Sequence, residues 1–127
     1  MTTTAPETAR AYIQAVSDHD LTRLDALFDE ELIAAFAGAE FGKHEWVSAL
    51  DRLLPALIHN EIREVYTEAD RVCVVYDFVT NTDAGAVRCV ELLTVTDGKI
   101  TTIELLLDRV TFAPVNQALK ERAAQPA

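Results

Sequence analysis

The first half of the chain places its apolar residues at the three-to-four-residue spacing of amphipathic helices. This spacing predicts a first helix over residues 6–17, a second short helix capped by Asp20, and a third that opens at Gly42. Pro55 ends or kinks the third helix, because proline cannot continue the hydrogen-bonded turn. Between the second and third helices, the short apolar run 32–37 predicts a strand.

The second half changes to the two-residue alternation of strands. Four strands separated by short polar or glycine-containing turns are predicted over residues 62–66, 71–80, 86–95 and 99–112. Pro114 favours a short last helix over residues 115–123, followed by a tail. Helices first and strands after them indicate an α+β fold, in which three N-terminal helices lie on the concave face of a cone-shaped, curved and mainly antiparallel sheet.

Length and charge narrow the picture further. The chain has 127 residues, half of them apolar, which suits one domain with an ordered core over about residues 6–113 and a short helix or tail at 114–127. The net charge is −10, and no cluster of lysine and arginine is present, so neither nucleic acid nor a membrane is expected as a partner. The amino-terminal sequence lacks the basic and apolar regions of a signal peptide, so a cytoplasmic location is expected.

The residue types that commonly carry metal or covalent chemistry are sparse. Cys73 and Cys89 lie inside predicted strands and are expected to be core thiols. His19, His44 and His59 have no helical partner and no nearby cysteine, so we expect them at the surface and expect no metal site. No phosphate loop or nucleophile motif is visible, so any chemistry is expected to need no cofactor.

Glu91 is the unusual residue, because it interrupts a segment that is otherwise typical of a buried strand. The residues Thr96-Asp97-Gly98 fit a three-residue hairpin loop, which sets Glu91 opposite Ile103. A two-residue Asp97-Gly98 turn would set Glu91 against Glu104, a like-charge pair that is destabilising, so we favour the first register. Glu91 then shares an apolar face with Cys89, Leu93, Leu105 and Leu107.

The preceding hairpin leaves two alternatives for a second carboxyl. A loop over residues 83–85 would place Asp77 directly opposite Glu91, so that one carboxyl has a raised pKa and acts as an acid while the other acts as a base. The other register points Tyr76 into the cavity and Asp77 towards solvent. The sequence leaves both registers open.

The opposite face of the same strands is also apolar. Val90, Leu92 and Leu106 point outward in the predicted sheet, and monomers rarely expose so large an apolar patch. We therefore expect a homodimer that contacts through the outer face of the sheet.

Several segments, in this order, carry a resemblance to a known family. They are the run from Tyr12 to Leu21 with Leu27-Phe28 after it, Gly42-Lys43, the Glu91 strand, and Val95 to Ile100 leading to Leu107-Asp108. Over nearly its whole length the chain resembles the nuclear transport factor 2-like superfamily, especially its SnoaL-like and ketosteroid-isomerase-like bacterial members. The resemblance implies a single SnoaL-like domain, also described as a cystatin-like α+β barrel.

The resemblance also implies roles for particular residues. Tyr12 matches the helix tyrosine that donates a hydrogen bond to an oxyanion in ketosteroid-isomerase-like proteins, and Glu91 matches their protonated acidic donor. Their general-base aspartate would fall at or near Phe36, so the chain departs from the pattern there and steroid isomerisation is not expected. Asp77 has the spacing of the aspartate in limonene-epoxide-hydrolase-like members, although Val75 stands where those proteins have an arginine.

These observations lead to two functional hypotheses. In the first, the protein is a cofactor-independent acid–base enzyme of isomerase, cyclase or epoxide-hydrolase type, with Tyr12, Asp77 and Glu91 as catalytic residues and a small hydrophobic, oxygenated substrate. In the second, it is a non-catalytic ligand-binding or dimeric association module. An open cavity of about 300 Å³ or more would favour the enzyme or a carrier. The predicted cavity wall comprises Phe36, Trp46, Leu50, Tyr76, Cys89, Leu93, Ile103, Leu105 and Leu107.

Overall fold

A computed structural model describes residues 4–125 of the chain. Within this range the helices are α1 Ala5–Ser17, α2 Leu21–Leu27, α3 Lys43–Leu53 and α4 Arg109–Ala124, with a 3₁₀ turn at Leu54–Ala56. The strands are β1 Phe28–Phe36, β2 Ala39–Phe41, β3 Leu57–Glu68, β4 Arg71–Thr80, β5 Ala86–Thr96 and β6 Lys99–Leu107. The predicted α+β fold is confirmed, with β1 and β2 between α2 and α3 and the other four strands after α3. Residues 1–3 and 126–127, which include the end of the predicted tail, lie outside the described residues.

The six strands form one sheet in the order β2-β1-β6-β5-β4-β3. Every neighbouring pair is antiparallel except β1 and β6, which are parallel. Irregularities of register in β1, in β3 and in the β5–β6 hairpin bend the sheet, because an extra residue in one strand increases its local twist. α1 lies across β3 to β6 and α3 lies beside β1 and β2, so the sheet curves around the helices as the predicted cone-shaped α+β fold.

Local side-chain contacts explain where the helices begin. The Thr4 hydroxyl accepts a hydrogen bond from the backbone N–H of Glu7 at the start of α1, and the Asp20 carboxylate accepts one from Arg23 at the start of α2. At α3 the Glu45 carboxylate reaches back to the N–H of Gly42 at 3.0 Å. These contacts satisfy N–H groups that have no partner within the helix.

Several predicted boundaries are wrong. The strand predicted at 62–66 spans Leu57–Glu68, and β2 is not among the predicted elements. The strand predicted at 32–37 begins earlier, at Phe28, so the acidic residues 29–31 lie in β1. The last strand ends at Leu107 rather than at residue 112, because the Asp108 carboxylate accepts hydrogen bonds from the N–H groups of Val110 and Thr111 and starts α4. The last helix is therefore longer than predicted, with Pro114 inside its second turn.

The β5–β6 hairpin also differs from its prediction. Asp97 and Gly98 form a two-residue turn with φ angles of 52° and 75°, the left-handed pair of a type I′ turn. The register then shifts between Thr94 and Val95, so that Glu91 lies opposite Leu105 rather than Ile103. The shift also prevents the destabilising pair of like charges that a two-residue turn would otherwise form, because Leu92 and not Glu91 faces Glu104.

Glu91 nevertheless points to the predicted apolar face and is only 2% exposed. No helix within residues 4–125 is long and apolar enough to cross a membrane.

Candidate active site

A cavity of about 500 Å³ opens between the helices and the concave face of the sheet. Of the predicted wall residues, seven line it: Phe36, Trp46, Leu50, Tyr76, Cys89, Leu105 and Leu107. The prediction is wrong for Leu93 and Ile103, which lie nearer the closed end of the hairpin and are buried in the core instead. The volume exceeds the 300 Å³ that separates an open ligand site from a filled core.

Glu91 lies at the polar end of the cavity, where two tyrosines hold its carboxyl group. The Tyr12 hydroxyl, from α1, donates to Oε1 at 2.7 Å. The Tyr76 hydroxyl, from β4, donates to Oε2 at 2.5 Å. The indole Nε1 of Trp46 donates in turn to the Tyr12 hydroxyl oxygen at 3.3 Å. Tyrosines from α1 and β4 therefore converge on one carboxyl group, and Trp46 of α3 contacts one of these tyrosines.

Burial dominates the electrostatics of this group. It raises the pKa of Glu91 to about 7, although the hydrogen bonds from Tyr76 and Tyr12 stabilise the carboxylate and lower that pKa in part. The pKa values of Tyr12 and Tyr76 are raised well above their usual range, first by burial and then by the charge of Glu91. Both tyrosines thus remain hydroxyl donors near neutral pH, whereas Glu91 gains or loses its proton in that pH range.

The neighbouring thiol is less suited to chemistry. Burial raises the pKa of Cys89 to about 12, so its nucleophilic thiolate form is scarce at neutral pH. Cys73 is not the core thiol that we predicted, because its partly exposed side chain lies on the outer face of β4. The three histidines are exposed, as expected. Among the described residues, no three histidine, cysteine or acidic side chains converge as a metal site would require.

Asp77 does not reach the cavity, so the register that placed it opposite Glu91 is wrong. Asp77 pairs with Arg88 and Tyr76 pairs with Cys89. The Asp77 carboxylate lies on the outer face, where it accepts hydrogen bonds from Arg88 at 2.6 Å and from Arg63 at 2.8 Å. The Arg88 hydrogen bond leads in lowering the pKa of Asp77, against a smaller opposing effect of desolvation. Asp77 is therefore a charged structural group in an ion cluster.

The loop between β4 and β5 explains this register. The N–H and the hydroxyl of Thr80 both bond to the Gly85 carbonyl, and the Thr80 hydroxyl also contacts that of Thr82. The hairpin therefore closes before residue 81, and Val79 pairs with Ala86. A loop limited to residues 83–85 would have needed pairing to continue beyond Thr80.

Several lining residues were not predicted. Asn60 on β3 donates its side-chain amide to the Ile13 carbonyl, and Phe78 packs on Phe112 of α4 with ring centroids 6.0 Å apart. Phe112 was missed because the sequence predicts a strand at that position, and Asn116 because no sequence pattern places the predicted last helix beside the cavity. The α3 residues Glu45, Ser48 and Arg52 also line the cavity and were not predicted. Their spacing of three and four residues places them on one helical face, and this spacing is the signal from which they could have been predicted.

The curved sheet and the helix-lined cavity form an α+β cone, the fold of a solved NTF2-like protein on which the chain superposes. Residues 9–103, more than half of the chain, match the SnoaL-like domain family, and the chain belongs to that family. No curated protein matches the sequence.

Solved structures agree on the fold. A protein from Kribbella flavida superposes with a TM-score of 0.82 at 22% identity, over 94% of this chain and 99% of that one. An LEH-like epoxide hydrolase from M. tuberculosis superposes with a TM-score of 0.73 at 19% identity, over 96% of each chain. An NTF2-like protein of unknown function from Cytophaga hutchinsonii superposes with a TM-score of 0.74 at 16% identity, over 88% of this chain and 97% of that one. These likenesses concern the fold alone.

Proposed function

We propose that the protein is a cofactor-independent acid–base enzyme for a small hydrophobic, oxygenated molecule, with Glu91 as the group that moves the proton. The observation that carries this proposal is a fully buried carboxyl with a pKa of about 7 at the polar end of an open cavity of about 500 Å³. A general acid–base group is most effective when its pKa lies near the working pH. Glu91 meets that condition without a metal or a second carboxyl.

Proton transfer by one group favours isomerisation over the other two reaction types. Asp77 faces away, and Phe36 occupies the position expected for a general-base aspartate, so no second carboxyl from the sheet reaches the buried end of the cavity among the described residues. An ionised Glu91 can remove a proton from a carbon beside a carbonyl group and return it to another carbon of the same molecule. Atoms and charge balance, since the proton only changes position.

The tyrosines support this cycle. When Glu91 is ionised, both hydroxyl protons of Tyr12 and Tyr76 point to its oxygens. Once Glu91 has taken a proton, it can donate to one tyrosine oxygen, which frees the hydroxyl proton of that tyrosine for the oxygen of the substrate. The site therefore gains a donor at the moment when negative charge develops on the ligand.

Hydrogen exchange tests the proposal without knowledge of the natural substrate. We would incubate small cyclic ketones and enones with the protein in D₂O and follow deuterium incorporation beside the carbonyl by NMR. The wild type is expected to catalyse incorporation and Glu91→Gln to lose it by two orders of magnitude or more, on the scale of about 10²–10⁴ for general acid–base catalysis. Asp77→Asn is the matched control, because its carboxyl lies outside the cavity, and it should retain exchange. Equal exchange in Glu91→Gln and the wild type would overturn the assignment.

A non-catalytic carrier is the second candidate. The volume and mainly apolar wall of the cavity support a bound ligand as well as a reaction, whereas an association module would have a filled interior. Ketones that raise the melting temperature without any deuterium incorporation would identify a carrier.

We also propose that the protein is a homodimer through the outer face of the sheet. Leu106 is 48% exposed there and Ile33 is 51% exposed, beside the half-buried Val90 and Leu92. Light scattering should return twice the chain mass of 14.0 kDa, and Leu106→Glu should return one chain mass. Val110→Glu, at a valine that is 84% exposed and belongs to α4 rather than to the sheet, should leave the dimer intact. A wild type of single chain mass at micromolar concentration would contradict the proposal.

A further inference from the structure

Arg52 is the one basic residue among the described residues that line the cavity. It lies in the last turn of α3, is exposed, and forms no ion pair with any acidic side chain of residues 4–125. Three basic side chains near the sheet do have acidic partners: Lys43 contacts Glu30, and both Arg63 and Arg88 contact Asp77. An uncommitted guanidinium at the rim of a largely apolar cavity is available to a ligand.

The distance between Arg52 and the polar end of the cavity, where Glu91 lies, indicates how long a ligand must be to reach both. Trp46, on the same helix, contacts Tyr12 beside Glu91 and so marks that end. Arg52 follows six residues later, about 9 Å along the helix axis at a rise of about 1.5 Å per residue. Ala49 and Leu50 line the cavity between the two levels, and Leu53 lines it next to Arg52. The wall is therefore polar at one end, apolar in the middle and cationic at the rim.

From this arrangement we infer that the ligand is amphipathic, with an oxygen at the Glu91 end and a carboxylate or similar anionic group about 9 Å away that Arg52 binds. The inference rests on the proposed function, because Glu91 and its tyrosines hold the other end. A guanidinium recognises a carboxylate through two parallel hydrogen bonds. The amide of Asn116 on α4 lines the same cavity and offers a further donor.

The charge of the whole chain makes Arg52 more significant. With a net charge of −10, the protein repels anions at long range, so an anionic ligand needs a local cation to enter. The other charged residue of this helix face, Glu45, is held by its bond to the Gly42 N–H at the opposite end of α3. The alternative role of Arg52 is to complement the partial negative charge at the end of α3. That role would affect stability and would not distinguish ligands by charge.

A matched pair of ligands tests the inference. We would use phenyl ketones whose alkyl chain spans about 9 Å and ends in either a carboxylate or a primary amide, and measure binding by calorimetry at low salt. The wild type should bind the carboxylate about tenfold more tightly than the amide, and Arg52→Gln should bind both equally with the affinity for the amide unchanged. Arg52→Lys should keep part of the preference. Arg71→Gln, which removes the same charge at an exposed site outside this cavity, should keep all of it.

Each contrary result has a distinct meaning. Equal binding of both ligands by the wild type, or no binding of either, overturns the inference. An equal loss of preference in Arg71→Gln and Arg52→Gln also overturns it, because the effect would then be that of net charge. A changed melting temperature of Arg52→Gln with the carboxylate preference intact would leave only the helix-end role. Failure of the deuterium exchange with the preference retained would reject the isomerase and keep the anionic ligand.

Discussion

Replacement of Glu91 by glutamine should make the protein more stable near neutral pH, and the gain should depend on pH. In the folded state, burial raises the pKa of Glu91 from 4.5 to about 7. Between these values the unfolded chain releases the proton while the folded chain keeps it, so the unfolded state binds fewer protons and the free energy of unfolding falls as pH rises. At about 1.4 kcal/mol per pH unit, the shift corresponds to about 3 kcal/mol.

The change of the free energy of unfolding with pH therefore has the sign expected for a carboxyl group whose pKa is raised in the folded state. The stability contributed by protonated Glu91 is fully present below about pH 4.5 and is lost by the time the pH has passed 7. Glutamine stays neutral and can still donate to one tyrosine and accept from the other. The difference in the free energy of unfolding between Glu91→Gln and the wild type should consequently grow by about 3 kcal/mol from pH 4 to pH 8.

Urea denaturation followed by circular dichroism at each pH measures this difference. Circular dichroism is preferable to fluorescence because Trp46 contacts Tyr12 beside Glu91, so its emission can respond to local protonation. Asp108→Asn is the control. Hydrogen bonds from Thr111 and Val110 hold the pKa of Asp108 below its usual range. The difference in the free energy of unfolding between Asp108→Asn and the wild type should therefore stay constant between pH 5 and 8. Parallel curves for the wild type and Glu91→Gln from pH 4 to 8 would refute the assigned burial and role of Glu91.

Three further substitutions test other parts of the structure. Tyr76→Phe removes a donor from the buried carboxylate, so the pKa of Glu91 should rise above about 7, which an NMR titration of labelled glutamate would detect; an unchanged midpoint would contradict the hydrogen bond. Gly98→Ala should destabilise the protein by about 1–2 kcal/mol in urea, because alanine at a φ of 75° is strained although no atom lies within 4 Å of the added carbon. Asp20→Ala should cost about 1 kcal/mol by loss of the α2 cap, and a value near zero would show that the cap is redundant.

The two hairpins show why one site residue was predictable and another was not. Side chains alternate across a strand, so only an odd error in register changes the face. Glu91 pairs with Leu105 instead of Ile103, an error of two residues, and its inward face was predicted correctly. Asp77 pairs with Arg88 instead of Glu91, an error of three residues, and it lies on the opposite face. The difference arises in the loop after Thr80, whose side-chain contacts no periodicity reveals.

The helices were more predictable than the cavity they enclose. Caps and apolar spacing act within a few residues, so the starts of α1, α2 and α3 followed from local sequence. The cavity mouth depends on α4, whose first turn was assigned to a strand because the apolar alternation continues past Leu107. The Asp108 side chain decides between the two outcomes, and both were compatible with its position at a strand end.

The buried acid is better explained by function than by stability. A neutral side chain at position 91 would avoid the loss of about 3 kcal/mol that the raised pKa of Glu91 implies above pH 7. Tyr12 and Tyr76 reduce that loss but do not remove it, since their hydrogen bonds only partly offset the effect of burial. Residues that lower stability and line an open cavity are typical of catalytic or binding sites, where strain and unfavourable burial persist for the sake of activity. A glutamate that served only to anchor two tyrosines could be replaced by glutamine with a gain in stability and no other consequence. The exchange experiment and the denaturation curves on the same Glu91→Gln variant therefore decide together whether the ionisable carboxyl of Glu91 is needed for activity.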